Sequence, residues 1–528
     1  MRADITFSVF HGGQIQMKSL SFAASPLRAL HNDIAFELLV AAVMVGVADW
    51  LFYGHRLGLS AAIFLLVLAG ASLIANPVTA DPKRIAWSAA FLFLGLLPVV
   101  EDFNALSVTI GIISTAFAVS SLTNPFIENI DDRIIAARKI LLTGPFRFLS
   151  DLSSMQSRSL SVSHVVVWIV PLAVSALFLF LFASANPLIE SWLSLIDLQA
   201  LLAALNGWRI LLWAAVLLAT WRFISTHWQR KKSQEARIKE TEATAPEAPN
   251  AIFGPAAILR SLVLFNILFA IETMLDLVYL WGGVTLPDGM TYASYAHRGA
   301  YPLMATALLA AAFVLAAMRP GGPAERIPAI RMLVFLWVAQ NVMLVISSIL
   351  RLDLYVEVYS LTYWRVAALV WMIVVAIGLV LIVTRIALNR SNKWLVLANL
   401  AALTAILYIC ALINLPLVIA NYNVSHSQEL SGKGVKLDFH YLTCLGPQAL
   451  PAIDRYLRHP SRSSQSVTEE NKFIPSMDSR REALVSRHRA ESADWRAWGR
   501  RGWRLQRYLD SFSTKSGASN VSPGRAFL

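Results

Sequence analysis

The stretch YWRVAALVWMIVVAIGLVLIVTRI, residues 363–386, contains no charged side chain between Arg365 and Arg385. The hydrocarbon core of a bilayer is about 30 Å thick, and a helix needs about 20 apolar residues to cross it. Because this run meets that requirement, it predicts a transmembrane helix.

Apolar blocks of similar length recur along the chain, in which 56% of the residues are hydrophobic and 15% are charged. Soluble globular proteins average about 25% charged residues, so this composition argues against a large soluble helical protein. We predict an all-α fold, a polytopic transmembrane helix bundle of about eleven spans with a partly helical C-terminal tail. The predicted spans are Ile34–Phe52, Leu57–Ala75, Ile85–Val100, Ala105–Leu122, Val165–Ala185, Trp208–Ile224, Ala256–Trp281, Pro302–Met318, Ala329–Leu350, Tyr363–Ile386 and Trp394–Pro416.

The domain organisation follows from these spans. The first apolar block lacks a small-residue cleavage site, so we expect it to remain as the first helix. In the tail we expect short helices broken at Gly446–Pro447, and then a basic, Trp-containing helix within 484–510. The predicted segments are a cytoplasmic N-terminal segment (1–33), a first membrane half (34–226), a cytoplasmic polar linker (227–255), a second membrane half (256–416) and a basic tail (417–528).

Lys and Arg are concentrated in alternate loops, and this bias sets the orientation of a membrane protein. It predicts a cytoplasmic N-terminus. The apolar segment Pro187–Leu205 carries Glu190 and Asp197, and we interpret it as an amphipathic or re-entrant piece rather than a span. The odd number of spans then predicts that the tail is extracytoplasmic, although a basic tail would by itself prefer the cytoplasm.

No catalytic signature is present. The chain has no phosphate-binding glycine loop, no dinucleotide-binding glycine motif, no zinc-protease or serine-hydrolase motif, and no Cys–His spacing typical of a metal site. Its two cysteines, Cys410 and Cys444, fall in an apolar block and in the tail. We therefore expect no cofactor and no metal, and an enzyme is the least favoured class.

Ionisable groups inside predicted spans are functional candidates because burying charge in hydrocarbon is costly. Glu272 and Asp276 are four residues apart, so they share one helix face. They are suited to binding a cation, shuttling a proton, or pairing with an arginine of a neighbouring helix. Gln340 and Asn341 are better explained as inter-helix hydrogen bonds.

Two predicted outer segments, LPDGMTYASYAHRGAY (286–301) and RLDLYVEVYSLTYWR (351–365), are dense in polar residues. The second alternates polar and apolar residues, which suits an extended segment, but its carboxylates four residues apart also suit a helix. We predict an outer-face pocket from these segments, or alternatively an aromatic belt with charge pairs. The candidate residues are Asp288, Tyr292, Tyr295, His297, Arg298, Arg351, Asp353 and Glu357.

Four stretches resemble the bacterial membrane-protein family called domain of unknown function 4173. They are YASYAHRGAYPLMATALLAAAFVLAA, RLDLYVEVYSLTYWRVAALVWMIVVAIGLVLI, LDFHYLTCLGPQALPAI and DWRAW. The resemblance covers roughly residues 90–510 and is sharpest over 260–460. It implies a multi-pass protein of the bacterial cytoplasmic (inner) membrane and supplies no catalytic residue.

Three function classes remain. A permease-like role is favoured by Glu272, Asp276 and the outer polar segments. A sensor or envelope-regulatory role would use the outer loops and tail to bind a ligand or an envelope protein. An integral-membrane enzyme acting on lipid or envelope precursors is the third. The expected partners are the lipid bilayer, a small molecule or ion, or an envelope protein, whereas nucleic acid is disfavoured by an external tail.

Overall fold

The computed structural model describes residues 10–11, 14–15, 34–78, 81–124, 132–142, 148, 206–226, 255–278, 309, 327–459 and 477–519. These residues are helical apart from short connections and one antiparallel pairing of Phe10–His11 with Gln14–Ile15. They form two compact units, one of Met1–Lys231 with Glu491–Arg500 and one of Lys232–Ala490 with Arg501–Leu528.

The first unit contains α1 (Ile34–Phe52), α2 (Leu59–Ala75), α3 (Pro82–Glu101), α4 (Ala105–Thr123), α5 (132–142) and α6 (Gly207–Ile224). Helix starts carry side-chain caps: the Asp81 carboxylate accepts from the Lys83 amide, and Asn104 forms a capping box with Ser107. Such caps satisfy amide groups that a helix leaves without partners.

Side chains from α1, α2, α4 and α6 form the core of the first unit, with Met44, Leu68, Val119 and Trp221 buried among them. Small residues allow α3 and α4 to approach closely, because a Cβ at Gly95 would collide with Ser114. Close approach through small residues is typical of membrane helix pairs.

The second unit begins with α7 (Pro255–Asp276), α8 (Pro328–Tyr359), α9 (Tyr363–Ala387) and α10 (Asn392–Leu412). Its tail region contains α11 (Leu415–Ser425), α12 (Gln428–Ser431), α13 (Phe439–Cys444), a 3-10 turn (Pro447–Ala449), α14 (Leu450–Leu457), α15 (Met477–Glu491) and α16 (Arg500–Ser519). Another 3-10 turn, Trp495–Ala497, lies between α15 and α16 and belongs to the first unit.

The tail is a folded region with its own core. Ile419, Leu442, Ile453, Leu484 and Leu505 are buried together. The tail also contains the expected break at Gly446–Pro447, where α13 ends and a 3-10 turn begins. The prediction of one helix over 484–510 is wrong, because α15 ends at Glu491, the 3-10 turn Trp495–Ala497 follows, and α-helix resumes only at Arg500.

Seven described helices are long and apolar enough to cross a membrane: α3, α4, α6, α7, α8, α9 and α10. Multiple apolar helices of this kind indicate a multi-pass membrane protein. Helix α2, at 17 residues, is a shorter apolar helix. The predicted spans Val165–Ala185 and Pro302–Met318 fall outside the continuous described segments, so the total of about eleven stays a prediction.

Candidate functional site

A buried arginine of α8 contacts both predicted intramembrane carboxylates. The Arg351 guanidinium donates through Nη2 to Asp276 Oδ1 and lies 3.4 Å from Glu272 Oε1. Asp276 is 1% exposed and Arg351 is 4% exposed, whereas 35% of the Glu272 side chain is exposed. Glu272 and Asp276 lie one turn apart on α7, so one guanidinium reaches both of them.

Polar side chains continue along the contact between α7 and α8, which we call the polar seam: Asn266, Glu272, Asp276, Gln340, Asn341 and Arg351. The Asn266 amide donates to Leu333 O at 3.1 Å, and Gln340 Nε2 donates to Asn266 O at 3.1 Å. Asn341 Nδ2 donates at 2.8 Å to Trp337 O of its own helix. Gln340 therefore makes an inter-helix bond, whereas the Asn341 amide donates within α8.

The same contacts establish that α7 and α8 are parallel. Asn266 contacts α8 near Leu333 and Gln340. Asp276, later on α7, contacts Arg351, later on α8, so the two helices run in the same direction.

Buried side-chain amides need hydrogen-bond partners in a low-dielectric interior. From the described residues, the side-chain oxygens of Asn266, Gln340 and Asn341 receive no hydrogen bond.

The second predicted outer segment is helical up to Tyr359, so its interpretation as an extended strand is wrong. Alternation over so few residues does not outweigh a helix already established upstream. Asp353 and Glu357 are exposed, and at roughly 100° per residue they lie about 200° and about 240° around the helix from Arg351. The structure therefore does not bring Arg351 together with them.

Asp353 and Glu357 instead influence the pKa of a tyrosine in the tail. Burial, and next the negative charges of these two carboxylates, raise the pKa of the Tyr422 hydroxyl on α11. The remaining predicted pocket residues, Asp288, Tyr292, Tyr295, His297 and Arg298, lie outside the described residues.

The turn between α8 and α9 is enclosed by neighbouring groups. Arg365 Nη1 donates to the carbonyls of Tyr359 and Ser360, and its guanidinium lies 4.5 Å from the Tyr355 ring centroid. Asn423 accepts from the Leu361 amide at 2.7 Å and donates to the Leu361 carbonyl at 2.9 Å. A tail residue therefore supplies hydrogen-bond partners for the backbone amide and carbonyl of Leu361 in this turn.

The first unit contains a charged pair of its own, Asp49 and Arg209. Asp49 accepts from Arg209 Nε at 2.7 Å and from Trp213 Nε1 at 2.9 Å, which joins α1 to α6. Sequence reasoning missed this pair because its members are far apart along the chain. It also missed a buried carboxylate in the tail, Asp454, which pairs with Arg481 and Tyr508.

The family expectation drawn from the motifs is wrong. The family model that matches residues 34–456 is Domain of unknown function (DUF4153), which is a different domain of unknown function from 4173. Apolar spans use the same few residue types in many membrane families, so stretches dominated by them discriminate poorly. No curated protein and no solved structure is significantly similar to the chain. Because the matched residues cover most of its length, the chain belongs to the Domain of unknown function (DUF4153) family.

Proposed function

We propose that this protein is a permease-like protein of the bacterial cytoplasmic membrane, in which the polar seam forms a proton- or cation-coupled route. The observation that carries the proposal is one buried arginine, Arg351, in reach of two carboxylates, Asp276 and Glu272. Placing charged groups in membrane helices costs free energy, and such groups typically mark ion or substrate pathways.

The charge arrangement favours a switch over a purely structural pair. Within the polar seam one arginine contacts two carboxylates, and a proton or a cation can compete with that arginine for either of them. A proton bound to Asp276 weakens its hold on Arg351, and Glu272, already 3.4 Å away, then becomes the stronger partner. Such an exchange between two partners links proton binding to movement of α8 against α7.

The amide groups of the seam extend this chemistry along the two helices. Amide oxygens accept hydrogen bonds from water and coordinate hard cations. The Asn266, Gln340 and Asn341 side-chain oxygens receive no hydrogen bond from the part of the chain that the structure describes. A hydrated route along the seam would supply their partners.

Helix directions in the first unit support the predicted number of crossings in its second part. The ends of α2 and α6 meet where Asn76 donates to Ile224 O at 2.8 Å, and the start of α3 meets the end of α4 where Arg84 donates to Asn124 O at 2.8 Å. Asn124 and Gly207 then lie at opposite ends of the unit. An odd number of crossings between them agrees with the predicted single span in this part of the chain.

Basic residues in the second unit agree with a cytoplasmic start of α8. Arg385, Arg390 and Lys393 cluster between α9 and α10, at the end opposite the turn that Asn423 holds. The positive-inside rule places such a cluster in the cytoplasm and the tail outside.

Flux across a sealed membrane tests the proposal. Purified protein is reconstituted into liposomes that contain a pH-sensitive dye, and proton flux is recorded after an imposed pH step, with and without Na⁺ or K⁺. We expect flux above that of empty liposomes and at least a ten-fold reduction in Asp276→Asn. Asp353→Asn, which removes an exposed carboxylate of α8, is the matched control and should retain the flux.

A double variant separates coupling from structure. Asp276→Asn with Arg351→Gln removes both charges of the buried pair, so it should recover thermal stability relative to Asp276→Asn, in which Arg351 loses its buried counter-ion and keeps the longer contact with the partly exposed Glu272. We expect flux to stay low in the double variant. Flux restored along with stability, or wild-type flux equal to that of empty liposomes, would contradict the proposal.

A sensor or envelope-regulatory role is the second candidate, favoured by the tail's bonds to the turn between α8 and α9. A ligand or envelope partner that binds the tail would bias this turn. For this role, truncation of residues 417–528 should abolish the cellular response, whereas Glu272→Gln with Asp276→Asn should leave it largely intact.

A further inference from the structure

The tail contains an open cavity of about 480 Å³ between α11, α14 and α16. It is lined by Asn421, Pro451, Arg455, Arg458, His459 and Tyr508. Three of these side chains are arginine or histidine, and none is a carboxylate. Cavities of about 300–1,000 Å³ are typical of small-molecule sites.

Neutral oxygens orient the two arginines. Arg455 Nη2 donates at 3.0 Å to the main-chain oxygen of Asn421 and at 2.9 Å to its side-chain oxygen. Arg458 Nε donates to the Asp454 carbonyl at 3.2 Å, and its Nη2 contacts the Tyr508 hydroxyl at 3.3 Å. These contacts fix the directions of both guanidinium groups without cancelling their charge.

The carboxylate of Asp454, which bonds the lining residue Tyr508, is paired with a cation that is not part of the described lining, Arg481. Asp454 is 1% exposed, accepts from Arg481 Nε and accepts from the Tyr508 hydroxyl at 2.8 Å. Burial, and next the hydrogen bond to Asp454, raises the pKa of Tyr508 to about 12. Tyr508 is therefore neutral at physiological pH, and the described lining carries two guanidinium groups and no carboxylate.

We propose that this cavity binds a phosphate-bearing anion, either the headgroup of an anionic lipid or a phosphorylated solute. Planar guanidinium groups bind phosphate oxygens through paired, charge-assisted hydrogen bonds, and the two arginines present such donors from neighbouring turns of one element. The volume exceeds that of a bare phosphate, so the site has room for the group that carries it. This inference does not depend on the polar seam.

Calorimetric titration of the detergent-solubilised full-length protein with glycerol 3-phosphate tests the shared chemistry, with glycerol at matched ionic strength as the blank. We expect saturable binding that is at least ten-fold weaker in Arg455→Gln with Arg458→Gln. The matched control, Lys436→Gln with Arg489→Gln, removes two exposed tail charges outside the cavity and should bind like the wild type.

Phosphatidylcholine nanodiscs that contain 10% phosphatidylglycerol distinguish the two sources. Phosphatidylglycerol retained by the wild type and lost in the Arg455→Gln, Arg458→Gln variant, as seen by native mass spectrometry, would identify a lipid headgroup. Glycerol 3-phosphate binding without lipid retention would identify a solute.

Three results would overturn the inference: no binding of either probe, equal binding by the cavity variant, or equal loss in the control variant. The single variant Arg458→Gln changes one exposed side chain, so it tests whether a loss of binding arises from misfolding. Its melting temperature without ligand should match that of the wild type, and its affinity should still fall.

Discussion

Asn423 is a single buried side chain on which the turn between α8 and α9 depends. Its carboxamide bonds both the amide and the carbonyl of Leu361, so it replaces two backbone partners at once. Ser360, within the same turn, has a φ of 66°, a conformation that disfavours residues with a Cβ. Side chains from the tail and from α9 therefore hold a strained turn closed.

Asn423→Ala should destabilise this turn, because both part-buried backbone groups of Leu361 lose their bonds to Asn423. Two such losses cost about 2–3 kcal/mol. Hydrogen exchange at Leu361, measured by mass spectrometry in detergent, should rise accordingly. Ser425→Ala removes an exposed hydroxyl that contacts carbonyls of its own helix and the adjacent His426 ring, outside the turn, and should leave the exchange unchanged.

At the scale of elements, the apolar blocks predicted the helices well. Ile34–Phe52 was predicted with the bounds that α1 has, and Tyr363–Ile386 ends one residue before α9 does. The prediction for α8 ended at Leu350, but the helix continues to Tyr359 because charged residues end an apolar run without ending a helix. Hydropathy records solvent preference, whereas helix termination depends on turn and capping chemistry.

The candidate site was predictable only in part, for a related reason. Spacing alone placed Glu272 and Asp276 on one face. Their neighbour Arg351 was assigned to an outer pocket, because a single sequence does not reveal which helices pack together. An inter-helix bond of Gln340 was predicted, but its partner Asn266 and the cavity at Arg455 arise from tertiary packing, which has no local sequence signal.

Helix α3 packs so closely on α4 that Gly95→Ala should destabilise the protein. The added methyl group would overlap Ser114, and such overpacking costs about 1–3 kcal/mol. The matched control is Gly70→Ala on α2, where nothing lies within 4 Å of an added Cβ. SDS-induced unfolding should show a loss for Gly95→Ala, no loss for Gly70→Ala, and partial recovery when Ser114→Gly is added.

At the scale of the whole molecule, tail residues contact helix ends in each unit. In the first unit, Asp494 lies 2.7 Å from His55 Nδ1 in the connection after α1, and the Leu59 amide donates to Trp498 O at 2.7 Å. In the second unit, Arg501 donates at 3.0 Å to Ile413 O after α10. In each unit considered by itself, the tail residues contact the helix ends that the charge bias predicts to be extracytoplasmic.

The side of the tail can be measured with the protein's own cysteines. The chain has two: Cys444, exposed on α13, and Cys410, within the apolar helix α10. If the tail is extracytoplasmic, a membrane-impermeant maleimide should label intact spheroplasts that express the wild type or Cys410→Ser. The Cys444→Ser variant should stay unlabelled. Labelling that appears only after lysis would place the tail in the cytoplasm, overturn the predicted odd number of spans and assign the basic cavity to cytoplasmic anions.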